Sequence, residues 1–391
     1  MSRWTPKSLD DCLNVYDLYE LARRRLPKPL FPYLQGAAED EITARENVAA
    51  FDRVKIIPRC LVNVAAVKTA TRILGQDIEW PVYCSPTGSS RIFHPDGELA
   101  VARAAARAGT FYGLSTVATH SIEDVARVSS GPKLFQLFVF KDRDLTRELI
   151  ERCKRAGYKA LCLTVDTQGR GNCEREARSG LSGRMSLAHL ASFAAHPRWS
   201  LGQLRRGPLS VASVARWTGE RSFFANGVWV GEQLDKSITW TEAREIIAQW
   251  GGPFAIKGIM SVADARRAVE VGATAVVVSN HGGRQLDGAA ASIEALPEIV
   301  RAVGDAVEVI LDSGVRRGVH VLKALALGAK ACSIGRAYLF GLAAGGEAGV
   351  TRALDILRTE LVRAMELSGC DDVASIGPDL LMRREAASFG G

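Results

Sequence analysis

The sequence predicts an α/β protein built as a single (β/α)8 TIM barrel, with a helical N-terminal extension over residues 1–75 and a long basic insertion, 175–235, after the fourth strand. Three observations carry this expectation. From about residue 80 onward, eight short β-rich apolar runs recur, and their unbroken apolar character suits strands covered on both faces. Helical patterns separate most of the runs, which implies parallel strands joined by crossover helices. Polar residues gather at the C-terminal ends of the runs, where a closed barrel collects them into one mouth. An open doubly wound sheet is the alternative, but eight units favour closure.

In order, the extension opens with a helical pattern through Leu18, Leu21, Ala22 and Arg25, which stops at Pro27, Pro29 and Pro32. Glu39-Asp40-Glu41 then leads a second helical run through Asn47 and Phe51. The predicted strands are 81–85, 111–115, 134–139, 160–165, 254–259, 275–279, 308–311 and 331–334. Gly109, Gly157, Gly272, Gly304 and Gly328 precede strands at the spacing of left-handed helix caps. Ser121 with Asp124, and Ser261 with Asp264, have the spacing of N-terminal capping boxes. The mouth residues are Thr87, Ser115, Gln136, Asp166, Lys257, His281, Asp312 and Arg336.

Composition sets the bounds. The chain has 391 residues, 47% apolar and 24% charged, which excludes a fibre or a largely disordered chain. No run of about 18 apolar residues suggests a spanning helix, and Met1 to Asp11 lacks the apolar segment of a secretory signal. The eight cysteines include no C-x-x-C pair, which predicts reduced thiols in a cytoplasmic protein and no metal site. Net charge is +7, and residues 175–225 alone contribute eight arginines against Glu176 and Glu220.

The chemistry concentrates in Ser279-Asn280-His281-Gly282-Gly283-Arg284. Histidine has an intrinsic pKa suited to proton transfer near neutrality, and an arginine three residues on suits a carboxylate beside that base. A structural histidine and a surface arginine are the bland alternative. Lys257 lies in an apolar strand and needs a negative partner, either an anionic ring, a Schiff-base carbonyl or a nearby carboxylate. Asp166 suits a carboxylate that orients His281, or else an N-cap. Ser313-Gly314-Val315-Arg316 and Gly335-Arg336, after the last two strands, look like a phosphate cradle.

These stretches, with Lys323-Ala324-Leu325-Ala326-Leu327-Gly328-Ala329 and Gly345-Gly346-Glu347-Ala348-Gly349-Val350, resemble the FMN-dependent α-hydroxy-acid oxidases and dehydrogenases. That family includes glycolate oxidase, lactate oxidase and mandelate dehydrogenase. The resemblance runs from Tyr33 to Cys370, apart from a variable segment near 180–230. It implies FMN as cofactor and oxidation of an L-2-hydroxy acid to the 2-oxo acid, with His281 accepting a proton as two electrons reach FMN. It makes Asp166 the partner of His281, and Arg284 and Tyr33 the holders of the substrate carboxylate. Lys257 is implied beside the flavin N1–C2 edge, and Pro86, Thr87 and Gly88 against the ring. Ser115, Gln136 and Thr164 are implied at its polar edge, Ser279 and Asp312 along ring and ribityl chain, and Arg316, Gly335 and Arg336 at the phosphate. Oxygen, or a quinone or cytochrome, is the implied electron acceptor, and a homotetramer the implied assembly.

Two departures stand out against the family pattern. Phe138 replaces a tyrosine, and Cys173 replaces an arginine that forms a second cationic contact near the substrate. A lost hydrogen bond to a charged group is worth about 1.5–3 kcal/mol. The expectation is intact FMN binding with an altered substrate side, favouring a bulkier or less acidic substrate over small 2-hydroxy acids. Oxidation of another α-substituted substrate, or flavin binding with little turnover, are the alternatives. Gly88 replaces a frequent alanine, with consequences for access to the ring. The segment 180–225, with Trp199, Trp217, Phe193, Phe223 and Phe224 among its arginines, reads either as a docking surface for the inner face of an anionic membrane or as a lid or subunit contact. No nucleic-acid module accompanies the charge.

Overall fold

The computed structural model describes residues 5–180, 186–218 and 223–382. Its strands are β1 (Thr71–Ile73), β2 (Gln76–Ile78), β3 (Val82–Thr87), β4 (Tyr112–Ser115), β5 (Lys133–Leu137), β6 (Ala160–Thr164), β7 (Phe254–Ile259), β8 (Ala275–Val278), β9 (Glu308–Asp312) and β10 (Ala331–Ile334). Strands β3 to β10 form a closed barrel, all neighbours parallel, with β10 returning to β3. All eight predicted strands are present. Alternate residues point inward, so Tyr83, Leu134, Cys162, Ala255, Val277 and Ile310 form an apolar plug. Residues one step off in register face the surrounding helices.

The helices are α1 (Val15–Arg25), α2 (Phe31–Gln35), α3 (Ile42–Arg53), α4 (Gly97–Arg107), α5 (Ile122–Arg127), α6 (Arg143–Arg155), α7 (Glu174–Arg178), α8 (Leu187–Ala194), α9 (Pro197–Arg206), α10 (Ala215–Thr218), α11 (Phe223–Gln233), α12 (Trp240–Trp250), α13 (Val262–Glu270), α14 (Ser292–Val303), α15 (Gly318–Ala326) and α16 (Arg336–Ser368). Helices α4, α5, α6 and α12 to α16 follow successive barrel strands. Helices α7 to α11 are the insertion between β6 and α12.

The extension differs from its prediction in two places. The Pro-rich break holds the short helix α2, with Pro32 in its first turn, where a missing N–H costs nothing. Residues 54–70 lie outside any helix or named strand, and those from Thr71 to Gly75 are not helical either. They form the β1–β2 hairpin, which turns through Leu74 and Gly75 at positive φ. Its Ile73, Leu74 and Ile78 join the barrel's inner cluster, and Leu74 N–H donates to Glu308 at the start of β9. The hairpin therefore seals the N-terminal end, opposite the mouth, and each such side chain contributes about 1.5–3 kcal/mol on burial.

Four of the five cap glycines have the predicted left-handed φ; Gly304, at −62°, ends α14 in the right-handed region. The Ser121–Asp124 box is complete, and Ser261 accepts the Asp264 N–H. Asp287 accepts both the Ile42 and the Thr43 N–H, so the loop after β8 caps α3 and docks the extension on the mouth.

Candidate active site

The loop after β8 carries His281, Gly282 and Gly283 at φ of 59°, 66° and 76°. A left-handed histidine is costly, and the surroundings hold it there. Ser279 Oγ accepts the His281 N–H, Ser313 Oγ accepts the Gly282 N–H, and Asn280 Oδ1 accepts the Gly283 N–H. Asn280 is itself locked by a reciprocal amide pair with Asn47 of α3, 2.8 Å each way. This geometry turns the His281 ring toward Asp166, with Nδ1 3.0 Å from Oδ1. Asp166 fits because residue 258 is glycine: a Cβ there would lie 2.8 Å from that of Asp166. Burial raises the Asp166 pKa, but His281 and then Lys257 pull it below its ordinary value. A charged carboxylate therefore faces Nδ1, which leaves Nε2 for a substrate.

Lys257 is 4% exposed and donates to Ser279 Oγ at 2.9 Å, with Asp312 Oδ2 3.3 Å away. Its negative partner is thus a carboxylate of the barrel. Asp312 also accepts from Ser85, Ser279 and Ser333, at 3.2, 2.6 and 2.5 Å. Burial opposes ionisation, but Lys257 and these hydroxyls outweigh it and hold the Asp312 pKa at about 2. The same carboxylates keep Lys257 protonated, above its ordinary value against the effect of burial.

Arg284 stacks over Tyr33, 5.5 Å from the ring centroid, and donates to Gly36 O at 2.8 Å. Its other arm meets Glu176 Oε1 at 2.5 Å. Cys173 is half-buried with Sγ 3.7 Å from Arg284 O, and burial raises its thiol pKa. Phe138 is half-buried and lines a cavity of about 250 Å³ with Thr164, Ile238 and Trp240. On the opposite side, Arg336 donates to Gly282 O and Gly36 O at 2.8 and 2.7 Å, and Arg316 to Val315 O at 2.8 Å. Both guanidinium groups meet backbone carbonyls here. Burial, then Arg284 and Arg316, bring the Arg336 pKa down to about 9.

The model of the FMN-dependent dehydrogenase family matches residues 22–383. The chain belongs to that family. It is 44% identical to the L-lactate oxidase of Nostoc sp. over 373 residues, 94% of this chain and 98% of the oxidase. It is 41% identical to glycolate oxidase 3 of Oryza sativa subsp. indica over 363 residues, 93% and 94% of the two chains. The crystal structure of the monotopic membrane protein (S)-mandelate dehydrogenase superposes with a TM-score of 0.91 at 38% identity, covering 95% of this chain and all of that one. The cofactor of the family is FMN and its reaction the oxidation of 2-hydroxy acids.

The residues present fit FMN. Gln136 Nε2 and Thr164 Oγ1 are buried without a partner among the described residues, while Gln136 Oε1 is taken by Ser115. That leaves an amide donor and a hydroxyl of the kind that the polar edge of a flavin ring would engage. Gly335 opens α16 with no side-chain cap, and among the described residues neither Arg316 nor Arg336 forms an ion pair with a carboxylate. This is the donor set of a phosphate site. Pro86, Thr87 and Gly88 are half-buried at the end of β3. Thr87 Oγ1 is engaged by Tyr338 OH at 2.6 Å, and its methyl lies 3.6 Å from a Cβ built on Gly335.

Sequence reasoning missed Ser85, Ser333, Asn47 and Glu176. Ser85 and Ser333 lie on inward registers near strand ends, and that alternation was the available signal. Glu176 gave none, because it sits among exposed arginines and its partner lies 108 residues away.

Proposed function

We propose that His281 is the base of this 2-hydroxy-acid oxidation, taking the substrate hydroxyl proton at Nε2. The observation that carries the reading is the 3.0 Å contact between His281 Nδ1 and a charged Asp166. Asp166 holds the imidazole and stabilises the imidazolium that forms. Lys257 holds positive charge near the end of β7 and would stabilise electron density on the edge of a bound cofactor ring. Arg284 and Tyr33 orient the carboxyl end of the substrate. Bound FMN supplies the two-electron acceptor. The product is the 2-oxo acid, and the substrate an L-2-hydroxy acid chosen atypically, because Phe138 lacks a hydroxyl and Cys173 lacks a charge. Anaerobic mixing with lactate, glycolate and mandelate tests this: bleaching of the flavin band by a 2-hydroxy acid is expected, and no bleaching by any refutes it. Cys173→Arg and Phe138→Tyr are expected to raise turnover of the small acids; unchanged, already high activity in the parent refutes the altered preference. Peroxide formation in air distinguishes oxygen from a quinone or cytochrome as acceptor, and sedimentation velocity checks the homotetramer.

A peripheral membrane contact through the insertion is a second reading. Leu187 and Leu204 are 85% and 77% exposed, beside exposed Arg198, Arg205 and Arg206. Leucines on a basic face are the composition of an interfacial helix. The aromatic residues are less available than the sequence suggests: Trp199 Nε1 donates to Ile92 O at 3.0 Å and its ring packs on Phe193. Arg184, Glu220 and Arg221 lie outside the described residues, as does the Phe224 side chain. Among the described residues no helix is long and apolar enough to cross a membrane. Co-sedimentation with phosphatidylglycerol vesicles at low salt is expected, and its absence refutes docking.

A further inference from the structure

The mouth holds a carboxylate of its own at the arginine proposed for the substrate. Glu176 Oε1 lies 2.5 Å from Arg284 Nη2, and both side chains are largely enclosed, at 14% and 26% exposure. The loop that delivers Glu176 is tied down. Gly171 N–H donates to Gln285 Oε1 at 2.9 Å, Glu39 N–H donates to Asn172 O at 2.8 Å, and Cys173 Sγ contacts Arg284 O. The backbone leading into α7 is therefore anchored beside Arg284.

Arg284 is matched by Glu176, Lys257 by Asp312, and Asp166 faces His281. Burial keeps the Cys173 thiol protonated. Among the described residues the enclosed Arg284 and Lys257 are each matched, while exposed Arg170 stands near Tyr33 and Cys173; a carboxylate approaching Arg284 itself would meet Glu176 as a like charge. A neutral carbonyl oxygen needs only one of the remaining Arg284 N–H donors and no unmatched charge.

We infer that Glu176 is a specificity-determining residue, which turns the site toward 2-hydroxy acids whose carboxyl is neutralised as an amide or ester. The inference rests on the proposed role of Arg284. The chemistry is unchanged. The α C–H and the O–H bonds break and a C=O bond forms; the hydroxyl proton goes to His281, and bound FMN would supply the two-electron acceptor that takes up the electron pair and the second hydrogen.

The test pairs acids with their amides on the FMN-loaded enzyme. Lactate against lactamide, and mandelate against mandelamide, give kcat/KM with a dye acceptor. Calorimetry with 2-hydroxyisobutyrate and 2-hydroxyisobutyramide, which lack the α hydrogen, gives binding without turnover. The parent is expected to prefer the amide in both measurements. Glu176→Gln, nearly isosteric, is expected to improve the acid about tenfold or more and to leave the amide within threefold. Glu176→Asp is expected to keep the parent's preference. A parent that prefers the acids overturns the inference, as does a Glu176→Gln variant that weakens acid and amide alike, since Glu176 would then merely position Arg284. If neither acids nor amides are oxidised, the proposed function fails, while the calorimetric preference still decides the role of Glu176.

Discussion

Acidification is expected to loosen the phosphate cradle through a histidine that makes no contact with substrate. His320, in the first turn of α15, is 6% exposed and stacks on Phe51 at 4.2 Å. Its Nδ1 accepts the Arg316 N–H at 3.3 Å, which only a neutral ring can do. Burial, with Lys323 and Arg316 nearby, drives its pKa from 6.5 to about 4. The folded-state value is depressed, so the stabilisation is present above pH 6.5 and is lost as pH falls toward 4. The full span is worth about 3 kcal/mol, and lowering pH from 7 to 5 removes about 2 kcal/mol of it. Urea unfolding at pH 7 and pH 5 measures the loss, and FMN release at the same two values reports on the cradle. His320→Gln, which does not titrate, should start less stable at pH 7 and lose about 2 kcal/mol less on acidification. Equal pH dependence in parent and variant refutes the reasoning, because other groups would then carry it.

Three further outcomes are expected. Arg336→Met removes a half-buried cation that no carboxylate matches among the described residues, so FMN affinity should fall tenfold to a hundredfold while the FMN-free protein is no less stable; fluorescence titration and thermal unfolding check both halves. Lys257→Met strands Asp312 as a buried charge and should cost about 3–5 kcal/mol, part of which Lys257→Met with Asp312→Asn recovers; equal stability of the single and double variants refutes the pairing. Asp166→Asn keeps the shape but removes the charge beside His281, and stopped-flow reduction should slow about tenfold to a hundredfold with FMN content unchanged.

The eight barrel strands were legible because strands buried on both faces are written as nearly unbroken apolar runs, with most polar residues where the mouth begins and Lys133 and Glu308 at the opposite end. The β1–β2 hairpin was not. Its strands are three residues each, two thirds polar, and its one local signal is Leu74-Gly75, a two-residue turn at positive φ. Within the site, His281, Asp166 and Lys257 were readable from strand-end position, since a barrel brings such ends together whatever their separation in sequence. The closure of the mouth by the extension was not. It depends on Asn47 meeting Asn280 and on Asp287 capping α3, pairings that no periodicity encodes. Glu176 shows the same limit with greater consequence, because a surface-like charge run conceals a buried partner.

Charge pairing divides the mouth into two unlike halves. On the phosphate side, Arg316 and Arg336 meet backbone carbonyls and carry a desolvation cost that an anion would offset. On the substrate side, Arg284 already has its anion in Glu176. An enclosed cation without a counter-charge is poised for an anionic ligand, whereas a matched one holds geometry without much net attraction. The two halves share Gly36, whose carbonyl accepts from Arg284 and Arg336 alike, at 2.8 and 2.7 Å. A phosphate that draws Arg336 is therefore coupled through that one carbonyl, and through the Gly282 carbonyl next to His281, to the groups proposed to hold and deprotonate the substrate. Cofactor loading should accordingly tighten the acid–base pair as well as fill the cradle, an order that follows from where the unmatched charges lie.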